Sequence, residues 1–94
     1  MKVVAATRGT LDFIHLFVTR SSDLDRRIPG LIAHLASDGM LWISWPKGGS
    51  SIETDLNGNL VRRRGLAARL VDIKVCAVDE DWSGLKFVYR RKDR

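Results

Sequence analysis

The residues best equipped for chemistry in this 94-residue chain fall in two short polar stretches. The first is Lys47-Gly48-Gly49-Ser50-Ser51, followed by Thr54 and Asp55. A cation, two flexible glycines and two hydroxyls ahead of a predicted helix start suit a phosphate or carboxylate, because the first N–H groups of a helix carry partial positive charge. Asp55 works against an anion there, since it already stands at the positive end. The lysine also precedes the glycines, the reverse of the order in a G-x-x-x-x-G-K-[ST] loop, and no G-x-G-x-x-G occurs. A plain polar connection with an N-cap accounts for the same residues. The second stretch is Asp79-Glu80-Asp81-Trp82. Carboxylates perform general acid–base work when burial separates their pKa values, and nothing in the sequence supplies that burial. A solvated turn explains the acids, whereas Trp82 must bury its ring under the hairpin or in a partner.

A third group is cationic. Arg62, Arg63 and Arg64 stand together, and Arg90 and Arg91 open a basic tail over residues 90–94. The formal charge is +5 and the pI near 10.0, which invites a nucleic-acid reading. The tail holds four cations and one anion, however, leaving +2 for residues 1–89. One helical cluster and a tail do not make a continuous groove along a phosphate backbone, so any nucleic-acid binding through these residues is expected to be weak. Cys76 stands alone, which excludes an internal disulfide and a multi-cysteine zinc site and fits a reducing, cytoplasmic compartment. His15 and His34 form no metal-ligand spacing. His15 lies in an apolar run with no serine or cysteine matched to it by motif, and reads as a core or edge histidine. His34 falls on the polar flank of a helix and is expected to be exposed. No catalytic residue, metal or cofactor is predicted.

The elements that must carry these groups follow from periodicity. With 45% hydrophobic and 29% charged residues the chain should fold as one small domain. No apolar run approaches the roughly 18 residues of a membrane helix, and residues 1–10 hold no secretory h-region. Residues 1–6 suit an opening strand. Leu11–Val18 (LDFIHLFV) is nearly continuously apolar, as in a strand covered on both faces. Leu24, Ile28, Leu31, Ile32 and Leu35 recur at helical spacing through Pro29-Gly30, where a kink is expected, and Asp38-Gly39 offers a C-cap. Met40–Trp45 (MLWISW) returns as a strand, and a crossover of this kind makes the two strands parallel. A second helix is expected from Thr54-Asp55 to Gly65, then a period-two strand at 70–78, a turn at 79–84 and a closing antiparallel strand at 85–89. The predicted fold is α/β: a mixed, mainly parallel Rossmann-like sheet in the order β-β-α-β-α-β-β, with two helices. If the strand at 70–78 runs with the others, Asp79 to Trp82 emerge at the same sheet edge as Lys47, where open α/β sheets bind ligands.

This order looks like the second half of the Rossmann-like fold of S-adenosylmethionine-dependent methyltransferases. DGMLWISWPK at Asp38 to Lys47, TDL at Thr54 to Leu56 and GLAARLVDIKVCAVDEDWSGLKFVYRR at Gly65 to Arg91 resemble the uncharacterised bacterial family known as domain of unknown function 3052. That resemblance covers about residues 11–91 and implies a fold; it brings no activity, ligand or catalytic residue. The glycine-rich loop that holds the cofactor in such methyltransferases has no counterpart in the sequence. The reading that results is a non-catalytic binding or protein-interaction module, associating with a second copy or another protein through a sheet edge or a surface of Trp42, Trp45 and Trp82. The alternatives are a small-molecule or S-adenosylmethionine-type site built from Lys47, Ser50, Ser51, Thr54, Asp55, Asp79 and Trp82, and nucleic-acid contact through the arginines.

Overall fold

The computed structural model describes residues 2–3 and 11–89. Seven elements follow in the order β1 (Lys2–Val3), β2 (Leu11–Phe17), α1 (Ser21–His34), β3 (Leu35–Pro46), α2 (Gly58–Ala67), β4 (Leu70–Ala77) and β5 (Trp82–Tyr89). They build one five-stranded sheet in the order β1-β2-β3-β5-β4. The fold is mixed α/β, as the alternation of apolar runs and helical stripes requires. The sheet is less parallel than expected. Strands β2 and β3 pair parallel, but β5 is inserted antiparallel between β3 and β4, and β1 lies antiparallel on β2. Strand β4 does run in the direction of β2 and β3, yet it pairs with neither. The short hairpin makes β5 antiparallel to β4, because a four-residue turn can only return a strand antiparallel to its predecessor.

Strand pleating sorts the side chains. Ile14, Leu16, Leu41, Ile43, Leu85 and Phe87 are fully or almost fully buried on one face, under Leu24, Ile28 and Leu31 of α1 and Val61 of α2. Both helices therefore cover the same face. Gly65, expected to end α2, lies inside it: a Cβ there would overlap Cε1 of Phe87, so glycine lets the helix backbone settle directly on the ring. The helix ends two residues later, and Arg69 supplies the left-handed residue that turns the chain into β4 (φ 68°).

Three helix boundaries differ from expectation. Helix α1 stops at His34, because buried Leu35 already pairs with Leu11 of β2. Asp38-Gly39 lies within β3, where the register advances five residues for two on β2. Pro29 does not divide α1; the carbonyl it deprives of a helical partner belongs to Asp25, which is exposed and can be hydrated. Helix α2 begins at Gly58, not at Thr54, and its N-cap is Asn57, whose side chain accepts the Leu60 N–H (2.9 Å). His34, expected to be exposed, is half-buried. The predicted tail at 90–94 and most of the predicted opening strand lie outside the described residues.

Candidate functional site

The loop at residues 47–57 leaves the carboxyl end of β3 beside that of β2, the place where open α/β sheets hold ligands. Arg20, Lys47, Ser50, Ser51, Thr54 and Asp55 line an open cavity there of about 520 Å³. Several of these groups are already engaged. Thr54 Oγ1 donates to the Thr19 carbonyl (2.6 Å) and accepts the Leu56 N–H (3.0 Å). Asp55 accepts both the backbone N–H of Ser21 (2.8 Å) and its hydroxyl (2.6 Å). Helix α1 has no side-chain cap from its own N-cap residue, Arg20, so Asp55 caps it from a distant loop. The positive end it occupies is that of α1, not of α2 as expected. The Ser21 hydroxyl, followed by the Ser21 N–H, holds its carboxyl below the usual carboxylate range. Ser50 Oγ accepts the Ile52 N–H (3.0 Å). The cationic side chains of Lys47 and Arg20 remain to face a ligand, Arg20 with Glu53 at 3.9 Å.

The acidic stretch meets this edge through the backbone: Lys47 N–H donates to the Asp81 carbonyl (2.8 Å), and Pro46 pairs with Trp82. Asp79 Oδ1 accepts the N–H groups of Asp81 (2.8 Å) and Trp82 (2.9 Å), an Asx turn that shapes the hairpin. Trp82 belongs to β5 and sets its ring edge-on to Phe17, with centroids 5.3 Å apart. Among the described residues, no group of three or more His, Cys, Asp or Glu side chains could hold a metal ion.

The arginine cluster points in several directions. Arg62 Nε lies 3.3 Å from Asp72 Oδ2 on β4, and Arg64 Nε 2.6 Å from Asp25 Oδ1 on α1. The Arg64 approach lies off its N–H axis, which makes it an ion pair and not a hydrogen bond. Exposed pairs of this kind contribute about 0–1 kcal/mol, but they occupy two of the three cations. Arg63 is exposed and has no ion pair among the described residues. Arg90 and Arg91 lie outside those residues.

What the sequence did not reveal is the sheet face opposite the helices. No described element covers it. Adjacent strands align His15, Trp42, Lys86 and Lys74 in one row, and Phe17, Ser44, Gly84 and Cys76 in the next. Phe13, one step along β2, is 46% exposed. His15 stacks on Phe17 (4.3 Å, 27°) and shares a 2.6 Å hydrogen bond with Ser44 Oγ, whose donor depends on the imidazole tautomer. Burial lowers the imidazole pKa from its ordinary value. Ser44 is fully buried, so the pair fastens β2 to β3 instead of presenting a nucleophile. Trp45 does not belong to this surface; it is buried on the helix face, because residues 42, 44 and 46 point one way and 41, 43 and 45 the other. A signal for the face was present in the alternation Phe13, His15, Phe17. The continuous apolar run hid it by suggesting cover on both sides.

No protein-family model and no curated protein matches the chain, so its resemblance to domain of unknown function 3052 remains a likeness of short sequence words. Among solved structures it is similar to the ribosomal protein L11 methylase from Lactobacillus delbrueckii subsp. bulgaricus, with a TM-score of 0.65 and 19% identity. The similarity covers 89% of this chain and 39% of that one, so the chain spans well under half of the methylase. At this identity the likeness concerns the backbone alone. The chain has a mixed α/β, methyltransferase-like fold.

Proposed function

We propose that this protein is a non-catalytic binding module whose working surface is the uncovered face of the sheet. One observation carries the reading: both helices lie on a single face, and the other presents exposed Phe13 beside half-buried Phe17, Trp42 and Trp82, with no described element over them. Contiguous exposed apolar surface rimmed by polar groups marks an interaction site more often than not. The sheet edge is the weaker candidate. Strand β4 carries a bulge at Ile73 and a lysine at position 74, two devices that discourage edge-to-edge pairing. A cytoplasmic location belongs to this reading and rests on the single free thiol, Cys76. Membership of the domain of unknown function 3052 family rests on the residues that resemble it.

A second reading, a small-molecule site, is favoured by the cavity at the carboxyl ends of β2 and β3 and by its cations Arg20 and Lys47. The residues do not fit the methyl donor of the methyltransferase fold. The connection from β2 to α1, Val18-Thr19-Arg20, holds no glycine for close approach of a nucleoside, and Asp55 is committed to Ser21.

Backbone amide NMR spectra decide between the readings. The chain is titrated with S-adenosylmethionine, a nucleotide panel and single-stranded DNA, and is followed alone as its own concentration rises. Shifts at Phe13, Phe17, Trp42 and Trp82 in any of these series are expected. Shifts confined to Lys47 to Asp55 would transfer the function to the cavity, and a silent sheet face in every series would overturn the first reading.

A further inference from the structure

The two aligned rows of the open face carry charge of one sign only. In the row that crosses the middle of the face, His15 and Trp42 are followed by Lys86 and Lys74, and no carboxylate occupies that row or the one beside it. A row across four strands spans about 14 Å at the usual strand spacing. Two planar rings on β2 and β3 thus stand beside two ammonium groups on β5 and β4 across that width. The carboxylates of the turn at 79–81 lie beyond Trp82, at one end of the face.

We infer that this face binds single-stranded nucleic acid, unpaired bases stacking on Phe13 and Trp42 while phosphates meet Lys86 and Lys74. The inference rests on the binding-face reading and adds the class of partner. Every base offers a π-face, so stacking on aromatic side chains needs no sequence, and lysines beside the rings hold the backbone. A duplex hides its base faces and cannot use them. A second copy of the chain fits less well, because two such faces brought together would contribute four lysines and no carboxylate from the aligned rows. The site also differs from the arginine cluster on α2, where Arg62 and Arg64 already face carboxylates on the helix side of the sheet.

The test uses the whole chain and a short fluorescently labelled oligothymidylate, alone and annealed to its complement. The single strand is expected to bind more tightly than the duplex and to quench tryptophan fluorescence. Phe13→Ala should weaken binding about five- to a hundredfold. The logarithm of affinity should fall against that of salt with a slope of about −1.4 for two lysine contacts, and about −0.7 in Lys86→Gln. Arg27→Gln, an exposed cation on α1, should bind as the unaltered chain does. Equal affinity for the duplex, or binding lost in Arg63→Gln and kept in Phe13→Ala, would overturn the inference. If the oligonucleotide leaves the open face unmoved while rising protein concentration shifts it, the nucleic-acid assignment fails and the binding-face reading stands. If neither moves it, both fail.

Discussion

Asp55 shows how a residue can be chosen correctly by type and misplaced by neighbourhood. Its sequence position, ahead of a helical pattern, points to a cap on α2; the fold carries it to Ser21, at the start of α1. Nothing local could reveal a partner 34 residues away. A separation of 29 residues hid the link between His15 and Ser44, whereas the Asx turn at Asp79 was legible as a turn because all its partners are neighbours. The Asp55 contact has a consequence in pH. Its carboxyl is held low in the folded chain, first by the Ser21 hydroxyl and then by the Ser21 N–H. A depressed folded pKa contributes stability above the unfolded value, near pH 4, and loses it as pH falls below that value. Urea denaturation at a series of pH values should therefore find Asp55→Ala less stable than the unaltered chain at neutral pH, with the gap narrowing below about pH 4. A gap that widens on acidification would exclude this role.

The number and kinds of elements were legible in residues 11–89, and their boundaries were less so. Apolar alternation located β4 and the later part of β5, and helical spacing located α1, because these patterns reflect which face is buried. Glycine was the misleading signal. Gly39 and Gly65 were read as helix ends, yet Gly39 lies in a strand and Gly65 is a contact surface for Phe87. The second role depends on a ring 22 positions away in sequence, which no local rule registers. Exchange of Gly65 for alanine sets two effects against each other. Alanine favours the helix by about 1 kcal/mol, while crowding a packed core costs about 1–3 kcal/mol. Phe87 is fully buried and has little room to yield, so the crowding should prevail. Chemical denaturation of Gly65→Ala is expected to show a net loss of up to about 2 kcal/mol; a gain would mean that the ring moves freely.

Across the whole molecule, the single-sided helix layer follows from the order of the elements. Helix α1 connects two adjacent parallel strands, and α2 leads from β3 to β4 over the same side, so the described chain holds no segment for the other face. The sequence reading supplied the α/β class and the parallel β2–β3 pair. It missed that β5 would separate β4 from β3, since strand order is set by which long-range pairing wins and not by local pattern. Hydrogen exchange should reflect that order. Amides of β3 and β5, flanked on both sides, are expected to exchange most slowly, and those of β4 that point away from β5 fastest. Slow exchange along the outer edge of β4 would reveal a partner strand already in place.

The position of β5 also sets a timetable for synthesis. In many sheets the strand made last is an edge, and the nascent chain can assemble everything before it. Here Trp82–Tyr89 is the bridge between β3 and β4, so β4 leaves the ribosome with no neighbour to pair with. The apolar side chain that the finished fold buries on β4, Leu70, must wait in water until the bridge arrives. A chain arrested before Trp82 would hold a finished β2–α1–β3 unit and a stranded β4, and would be open to chaperones and proteases until translation moved on.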